Sequence, residues 1–251
     1  MSHFTGKTAL ITGGGSGIGR ATALAFARKG ASVVVAGRTE SSLAETVKLI
    51  EEAGGRAAGV AADVTRSDDV AALVNATTTR FGALDIAVNN AGAAFTGMLA
   101  DLDEDAWQRS LAVNLTGVWL SMKHEIAYMR EHGGGVIVNM ASTIGAHRSV
   151  PGMGAYATAK AGVSAMTRTA ARECVRDGIR VNAISPGPID TPASMRPGET
   201  TEQRDERIAA TLPLGRVGTL EEVAAAITWL ASPDSGFAVG HDLVLDGGST
   251  A

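Results

Sequence analysis

The sequence predicts an α/β fold: a single seven-stranded parallel sheet, doubly wound, with helices on both faces. Three observations carry that prediction: seven short apolar runs along the chain, helix-like segments between them, and little polar alternation within the runs. A strand covered on both faces has no solvent side and so no polar side to alternate with. Repeated βα units with right-handed crossovers then generate one sheet. The 251 residues suffice for one large domain with a sizeable core. Neither an internal repeat nor a Pro- or Gly-rich linker divides them, so residues 1–251 read as one domain.

In chain order, the predicted strands are Thr8 to Thr12, Ser32 to Ala36, Ala57 to Ala62, Asp85 to Asn89, Val136 to Met140, Arg180 to Ile184 and Asp242 to Leu245. A helix from Ile18 to Lys29 follows the first strand and stops at Gly30, which accepts the left-handed conformation of a C-terminal cap. After the second strand, Ser42 with Glu45 has the spacing of a capping box for a helix that ends near Gly54-Gly55. Ser67-Asp68-Asp69 opens another helix, with acidic residues where the helix dipole favours them. The alternation breaks at 191–218, TPASMRPGETTEQRDERIAATLPLGRVG, a polar insertion bearing prolines. A segment that long within a compact domain reads as a substrate lid.

Composition excludes several function classes. A net charge of −4 leaves no excess of Lys and Arg for a phosphate backbone, so no nucleic-acid partner is expected. Cys174 is the only cysteine, which rules out an intrachain disulfide and cysteine-based zinc sites and fits a reducing cytoplasm. The start MSHFTGKTALITG lacks the pattern of a signal peptide, and no run reaches the ~18 apolar residues of a membrane span. The expectation is a cytoplasmic protein without a membrane partner. The five histidines show no paired spacing such as H-E-x-x-H, so no metal is expected. Gly14-Gly15-Ser16-Gly17-Ile18 lacks the last glycine of a hydrolase nucleophile elbow.

Residues 12–19, TGGGSGIG, hold five glycines in eight positions. A nucleotide-triphosphate loop, a dinucleotide loop and a flexible surface turn compete for this stretch. The first would need a Lys and a Ser/Thr where Arg20 and Ala21 stand. Glycines at 13, 17 and 19 do not match G-x-G-x-x-G in register either. Its place between a first strand and a first helix is nevertheless what a dinucleotide site requires: backbone N–H groups at a helix N-terminus face a pyrophosphate.

The spacing Gly13-xxx-Gly17-x-Gly19, NNAG at Asn89 to Gly92, and Tyr156-xxx-Lys160 together resemble the short-chain dehydrogenase/reductase family, in its 3-oxoacyl-reductase-like branch of about 250 residues. The resemblance runs from Lys7 to Ala251 and implies a Rossmann fold. It also implies a catalytic set of Asn114, Ser142, Tyr156 and Lys160, and a homotetramer. Cofactor contacts carried over are Gly13, Ser16, Gly17, Ile18 and Gly19 around the pyrophosphate, and Asp63 with Val64 at the adenine. Asn90, Ala91 and Gly92 follow the fourth strand; Pro186, Gly187, Ile189 and Thr191 follow the sixth; Tyr156 and Lys160 reach the nicotinamide ribose. Asp63 also suits a helix cap, and the glycine of NNAG suits tight packing. Ser142 stands fourteen positions before Tyr156, one more than the family's usual spacing, and Thr143 is a competing hydroxyl.

The choice of cofactor is made after the second strand. An acidic residue there would bind the ribose hydroxyl of NAD, whereas an arginine accommodates the 2′-phosphate of NADP. The strand SVVVA runs into Gly37-Arg38 with no carboxylate at its end; Arg38 reads as a phosphate partner or a solvated cation, with Glu40 a more distant ribose ligand. NADP(H) is preferred and NAD(H) remains possible. Tyr156 and Lys160 at i and i+4 bring their Cβ atoms to ~5–6 Å. An ammonium at ~4 Å contributes ~4 kcal/mol at an effective dielectric of ~20, enough to lower a phenol by up to ~3 in pKa, against desolvation. Asn114 inside a helix suggests a held water between Lys160 and solvent. The expected activity is reduction of a ketone or 3-oxoacyl ester. The alternatives are an NAD-dependent secondary alcohol, sugar or steroid dehydrogenase, and a non-catalytic dinucleotide sensor, which would have no need of a tuned tyrosine.

Overall fold

The computed structural model describes residues 3–196 and 198–251; Met1, Ser2 and Pro197 lie outside the described residues, so the 1–251 domain and the 191–218 segment are described without them. Each strand pair is parallel, and the sheet order is β3-β2-β1-β4-β5-β6-β7. The strands are β1 (Thr8–Thr12), β2 (Ser32–Gly37), β3 (Arg56–Ala61), β4 (Ile86–Asn89), β5 (Gly135–Met140), β6 (Ile179–Pro186) and β7 (Asp242–Leu245). The helices are α1 (Gly17–Arg28), α2 (Glu40–Glu52), α3 (Ser67–Phe81), α4 (Glu104–Leu111), α5 (Gly117–Glu131), a short kinked turn α6 (Thr143–Ala146), α7 (Gly154–Cys174), α8 (Thr201–Ala209) and α9 (Leu220–Ala231). Among the described residues no helix is long and apolar enough to cross a membrane.

The apolar runs explain the layering. Along β1, Ala9 and Ile11 join a core with Phe26 of α1, Leu43 and Ile50 of α2, and Val223 and Ile227 of α9. Leu10 points the other way, into a second core with Leu73 of α3, Met122 of α5 and Val163 of α7. Both pleat faces are therefore dry, which is why the strands show little polar alternation. Each fully buried Val, Leu or Ile stabilises by ~1.5–3 kcal/mol relative to exposure.

The order reverses beside β1, whose neighbours are β2 and β4. Open α/β sheets place their ligand crevice there, beyond the strands' C-terminal ends.

One local expectation is corrected. Ser42 and Glu45 do not form a capping box: α2 begins at Glu40, Ser42 Oγ donates to the Thr39 carbonyl at 2.9 Å, and Glu45 accepts from Arg20 at 2.7 Å. A long-range arginine outcompetes the local backbone for that carboxylate. Capping boxes form instead at Thr200/Gln203 on α8 and Thr219/Glu222 on α9. The insertion 191–218 carries α8 and is tied down: Asp190 N–H donates to Gly218 O at 2.9 Å, and Leu214 N–H donates to Gly247 O at 3.1 Å.

Candidate active site

The glycine loop leaves β1 at the switch point and is held from three sides. Thr12 Oγ1 accepts from the backbone of Asn90 at 3.0 Å and Ala91 at 3.1 Å. Asn90 Nδ2 returns a bond to the Thr12 carbonyl at 3.0 Å and approaches that of Gly13 at 3.3 Å. Arg20 donates to the Gly15 carbonyl at 2.6 Å, and Thr46 Oγ1 donates to that of Gly14 at 3.0 Å. With its carbonyls turned inward to these donors, the loop is a rigid cradle. A Cβ on Gly19 would run into the Gly13 carbonyl, and one on Gly14 would sit 2.7 Å from Val35. Asn90 and Gly19, expected as cofactor contacts, also shape the loop itself.

Gly13, Ser16, Asp63, Val64, Ala91 and Gly92 line one cleft with Arg38. Arg38 is exposed and, among the described residues, has no ion-pair partner; Thr39 and Ser42 add hydroxyls beside it. Glu40 opens α2 and does not line the cleft. Asp63 uses Oδ1 to accept from Thr65 N and Oγ1, at 2.9 and 2.8 Å, which fixes the turn before α3 and does not cap that helix, whose N-cap position is Arg66. The bare glycine backbone, the helix N-terminus of α1 and an unpaired arginine at the end of β2 fit a dinucleotide with a 2′-phosphate. Across the loop, Thr191 Cγ2 would be 3.9 Å from a Cβ on Gly17, so the segment after β6 closes over the same cradle.

The catalytic candidates converge beyond β4 and β5. Tyr156 and Lys160 occupy the first turns of α7, and Lys160 is buried, its Nζ donating to the Met140 carbonyl at 2.6 Å. Burial lowers that amine to about 8, so it is still mainly a cation at neutral pH. Its Nζ stands 5.7 Å from the centre of the Tyr156 ring. The expected downward shift of Tyr156 by Lys160 is corrected: burial pushes the phenol up, and a hydrogen bond with Ser142 opposes this only in part. The ammonium is turned to Met140 rather than to the phenolic oxygen.

Ser142, not Thr143, presents its hydroxyl to Tyr156, because Thr143 Oγ1 donates to the Pro186 carbonyl at 3.2 Å. Between Ser142 and Tyr156 the chain kinks at Gly145, whose φ of 139° favours glycine and where an added Cβ would meet α7 at 2.9 Å.

Asn114 lies in a π-helical turn, Ala112–Thr116, between α4 and α5. Its amide donates to the carbonyls of Ala93 at 2.7 Å and Ser110 at 3.0 Å, and its oxygen accepts from Ala93 N at 3.1 Å. The residue clamps the strand-end loop directly. A Cβ on Gly92 would fall 2.9 Å from Asn114 Oδ1 and 3.7 Å from Lys160 Nζ, so this glycine keeps the space between the two open.

Ser142 and Tyr156 open into a second cleft, of about 440 Å³, with Ile18, Pro186, Gly187, Ile189 and Thr191. Met153 and Met195 line it, whereas Phe95 lies under Arg109 at 5.4 Å and Leu212 is packed against Gly247. His147 pairs with Asp242 at 3.0 Å. Sequence reasoning missed Thr12, Arg20 and Thr46, which act on residues 5 to 79 positions away and leave no local pattern. It also missed Glu125, buried beneath β4, which accepts from Asn89 Nδ2 at 2.9 Å and is raised by burial to about 7.

A family model described as enoyl-(acyl carrier protein) reductase matches residues 13–250. The cis-4-hydroxycyclohexanecarboxylate dehydrogenase of Sinomonas cyclohexanicum is 43% identical over 249 residues, covering 99% of this chain and 98% of the relative. The 3-oxoacyl-(acyl-carrier-protein) reductase of Thermotoga maritima is 38% identical over 243 residues, 97% of each chain. A crystal structure of an actinorhodin polyketide ketoreductase with NADPH superposes with a TM-score of 0.93 at 36% identity, covering 100% of this chain and 98% of that one.

Proposed function

The chain belongs to the short-chain dehydrogenase/reductase family, and on that premise we propose that it is a cytoplasmic, NADP(H)-dependent reductase of a ketone or 3-oxoacyl ester. At the coarser level it is an oxidoreductase acting on alcohols or ketones. The observation that carries the finer reading is the pairing of two clefts: an unpaired Arg38 in one and a proton-holding Tyr156 in the other. The similarity to a ketoreductase solved with NADPH supports the cofactor, and the two relatives named above, a cyclic hydroxy-acid dehydrogenase and a 3-oxoacyl reductase, support a secondary alcohol or ketone.

The cofactor would be held by Gly13, Ser16, Gly17, Ile18 and Gly19 at the pyrophosphate, with Asp63 and Val64 at the adenine. Arg38 would face the 2′-phosphate, Asn90 to Gly92 the middle, and Pro186, Gly187, Ile189 and Thr191 the nicotinamide end. When bound, it supplies or accepts the hydride. The chain's own part is protonic and geometric. Ser142 donates a hydrogen bond to the carbonyl oxygen, polarising it as charge develops there. Tyr156 transfers its phenolic proton to the same oxygen; a phenol kept protonated by burial is the form that reduction needs. Lys160, cationic near neutral pH, holds ribose hydroxyls beside Tyr156, the Ser142 hydrogen bond favours the phenolate left behind, and Asn114 holds the 90–93 loop in place. Residues 191–218 act as the substrate lid, closing over the cleft from Thr191 to Ile208. The reading includes a homotetramer, to be checked by light scattering.

The test is oxidation of NADPH and of NADH, followed by absorbance, on adding cyclohexanone, a 3-oxoacyl thioester or a 3-oxo ester. Substrate-dependent turnover with NADPH the better donor supports the reading. NADH as the better donor removes Arg38's role, and absence of turnover removes the reductase.

A further inference from the structure

The second cleft carries a charge pattern that carbonyl reduction alone does not require. Beyond Tyr156 its walls are apolar, with Val150, Met153, Ile189, Met195 and Ile208. Among the described residues three arginines, Arg148, Arg196 and Arg207, also line it, and no Asp or Glu does. Arg207 is satisfied: both its Nε and Nη2 donate to Glu199, at 2.6 and 2.7 Å. Arg204, in the helix below, is likewise matched by Asp190 and Asp205. Glu199 therefore pairs with Arg207 and, held by the backbone N–H of Arg196 at 2.8 Å, also feels and partly offsets the charge of Arg196.

Arg148 is different. Its side chain has neither an ion pair nor a hydrogen bond among the described residues, yet its backbone is fixed on the turn that carries Ser142. Its N–H donates to the Thr143 carbonyl at 2.8 Å, and its own carbonyl accepts from Gly145 N at 2.9 Å. An unmatched guanidinium on a fixed backbone at the mouth of an apolar cleft concentrates field lines there and presents a planar fork that fits a carboxylate. Arg148 and Arg196 are exposed at the rim, whereas Ser142 is buried.

We propose that the substrate is a keto acid or hydroxy acid whose carboxylate, remote from the reacting carbon, is held by Arg148 with Arg196 at the rim of this cleft. The inference rests on the reading of the site as a carbonyl reductase. Apolar walls between rim and base take the hydrocarbon that separates the two groups, and no acid lines the cleft to repel the anion.

The experiment measures kcat/KM for 3- and 4-oxocyclohexanecarboxylate, for their methyl esters and for cyclohexanone, in the wild-type protein and in Arg148→Gln, Arg148→Lys and Arg196→Gln. The wild type is expected to prefer at least one acid over its ester by tenfold or more, with the preference falling as salt rises. Arg148→Gln should reduce the acid-to-ester ratio at least tenfold, Arg148→Lys should restore part of it, and Arg196→Gln should have a smaller effect of the same sign. Esters reduced as well as the acids, or an Arg148→Gln variant that loses both equally, would overturn the carboxylate and leave carbonyl reduction standing. No oxidation of either cofactor with any of these compounds would remove both readings.

Discussion

The two clefts open on the same edge of one sheet and are made of opposite materials. The cleft over β1 to β3 is lined by glycine backbone, hydroxyls, Asp63 and one arginine; the cleft beyond β5 and β6 is lined mainly by apolar side chains, with Tyr156 and the buried Ser142 at its base and the buried Lys160 close to the Tyr156 ring. Under the proposed function the first cleft would recognise its ligand mainly through main-chain N–H groups, so its constraint is the absence of side chains. The second holds reactive groups at shifted acidities, so its constraint is burial. The difference teaches that loss of a methyl group's worth of space disables one side, whereas loss of a single oxygen disables the other.

Tyr156→Phe removes only the phenolic oxygen and breaks the comparison hardest. Turnover should fall by ~10²–10⁴, the usual range for a general acid, while NADPH binding measured by fluorescence titration remains. Retained turnover would show that the second cleft does not use this proton. Gly19→Ala tests the other side, since the added methyl runs into the Gly13 carbonyl. Binding of NADPH and NADH should weaken together, by at least ~10-fold, or 1.4 kcal/mol, as measured by the same titration; unchanged binding would place the pyrophosphate elsewhere.

A smaller effect lies beneath both clefts, at Glu125. Its carboxyl is raised from 4.5 to about 7 by burial. Between those values the folded chain keeps a proton that the unfolded chain has lost, so the contribution of Glu125 to stability is greatest below pH 4.5 and declines as pH rises towards 7. The total decline is about 3 kcal/mol, from ~1.36 kcal/mol per pH unit. Glu125→Gln keeps an acceptor for Asn89 and should flatten that slope, read by urea denaturation at pH 5, 6, 7 and 8. A slope identical to that of the wild type would move the titration to another group.

The same contrast governs what could be read from the sequence. The sheet was legible because strands dry on both faces leave unbroken apolar runs, and β1 and β7 have the predicted bounds. Glycine spacing and an i, i+4 Tyr-Lys pair are local, so the cradle and the base of the second cleft were legible too. What holds them was not: Arg20 reaches Glu45, Thr12 reaches Ala91, and Glu125 reaches Asn89, contacts set by the tertiary fold alone. The Ser42 capping box failed for that reason. The acidity of Tyr156 was misread because its spacing from Lys160 says nothing about where the ammonium points, and the structure points it at Met140. The rim of the second cleft was illegible because Arg148 gains its meaning only from the acids missing around it.

The division of labour between the clefts is tested most directly at Arg38. The measurement is kcat/KM for NADPH and for NADH, with one saturating ketone, in the wild type and in Arg38→Ala. The account predicts that the wild type favours NADPH, and that the substitution lowers its kcat/KM by ~10–100-fold, the loss of a charge-assisted contact of ~1.5–3 kcal/mol, with NADH and the ketone's KM changed less than about twofold. A wild type that favours NADH, or a substitution that lowers both cofactors equally, would contradict it.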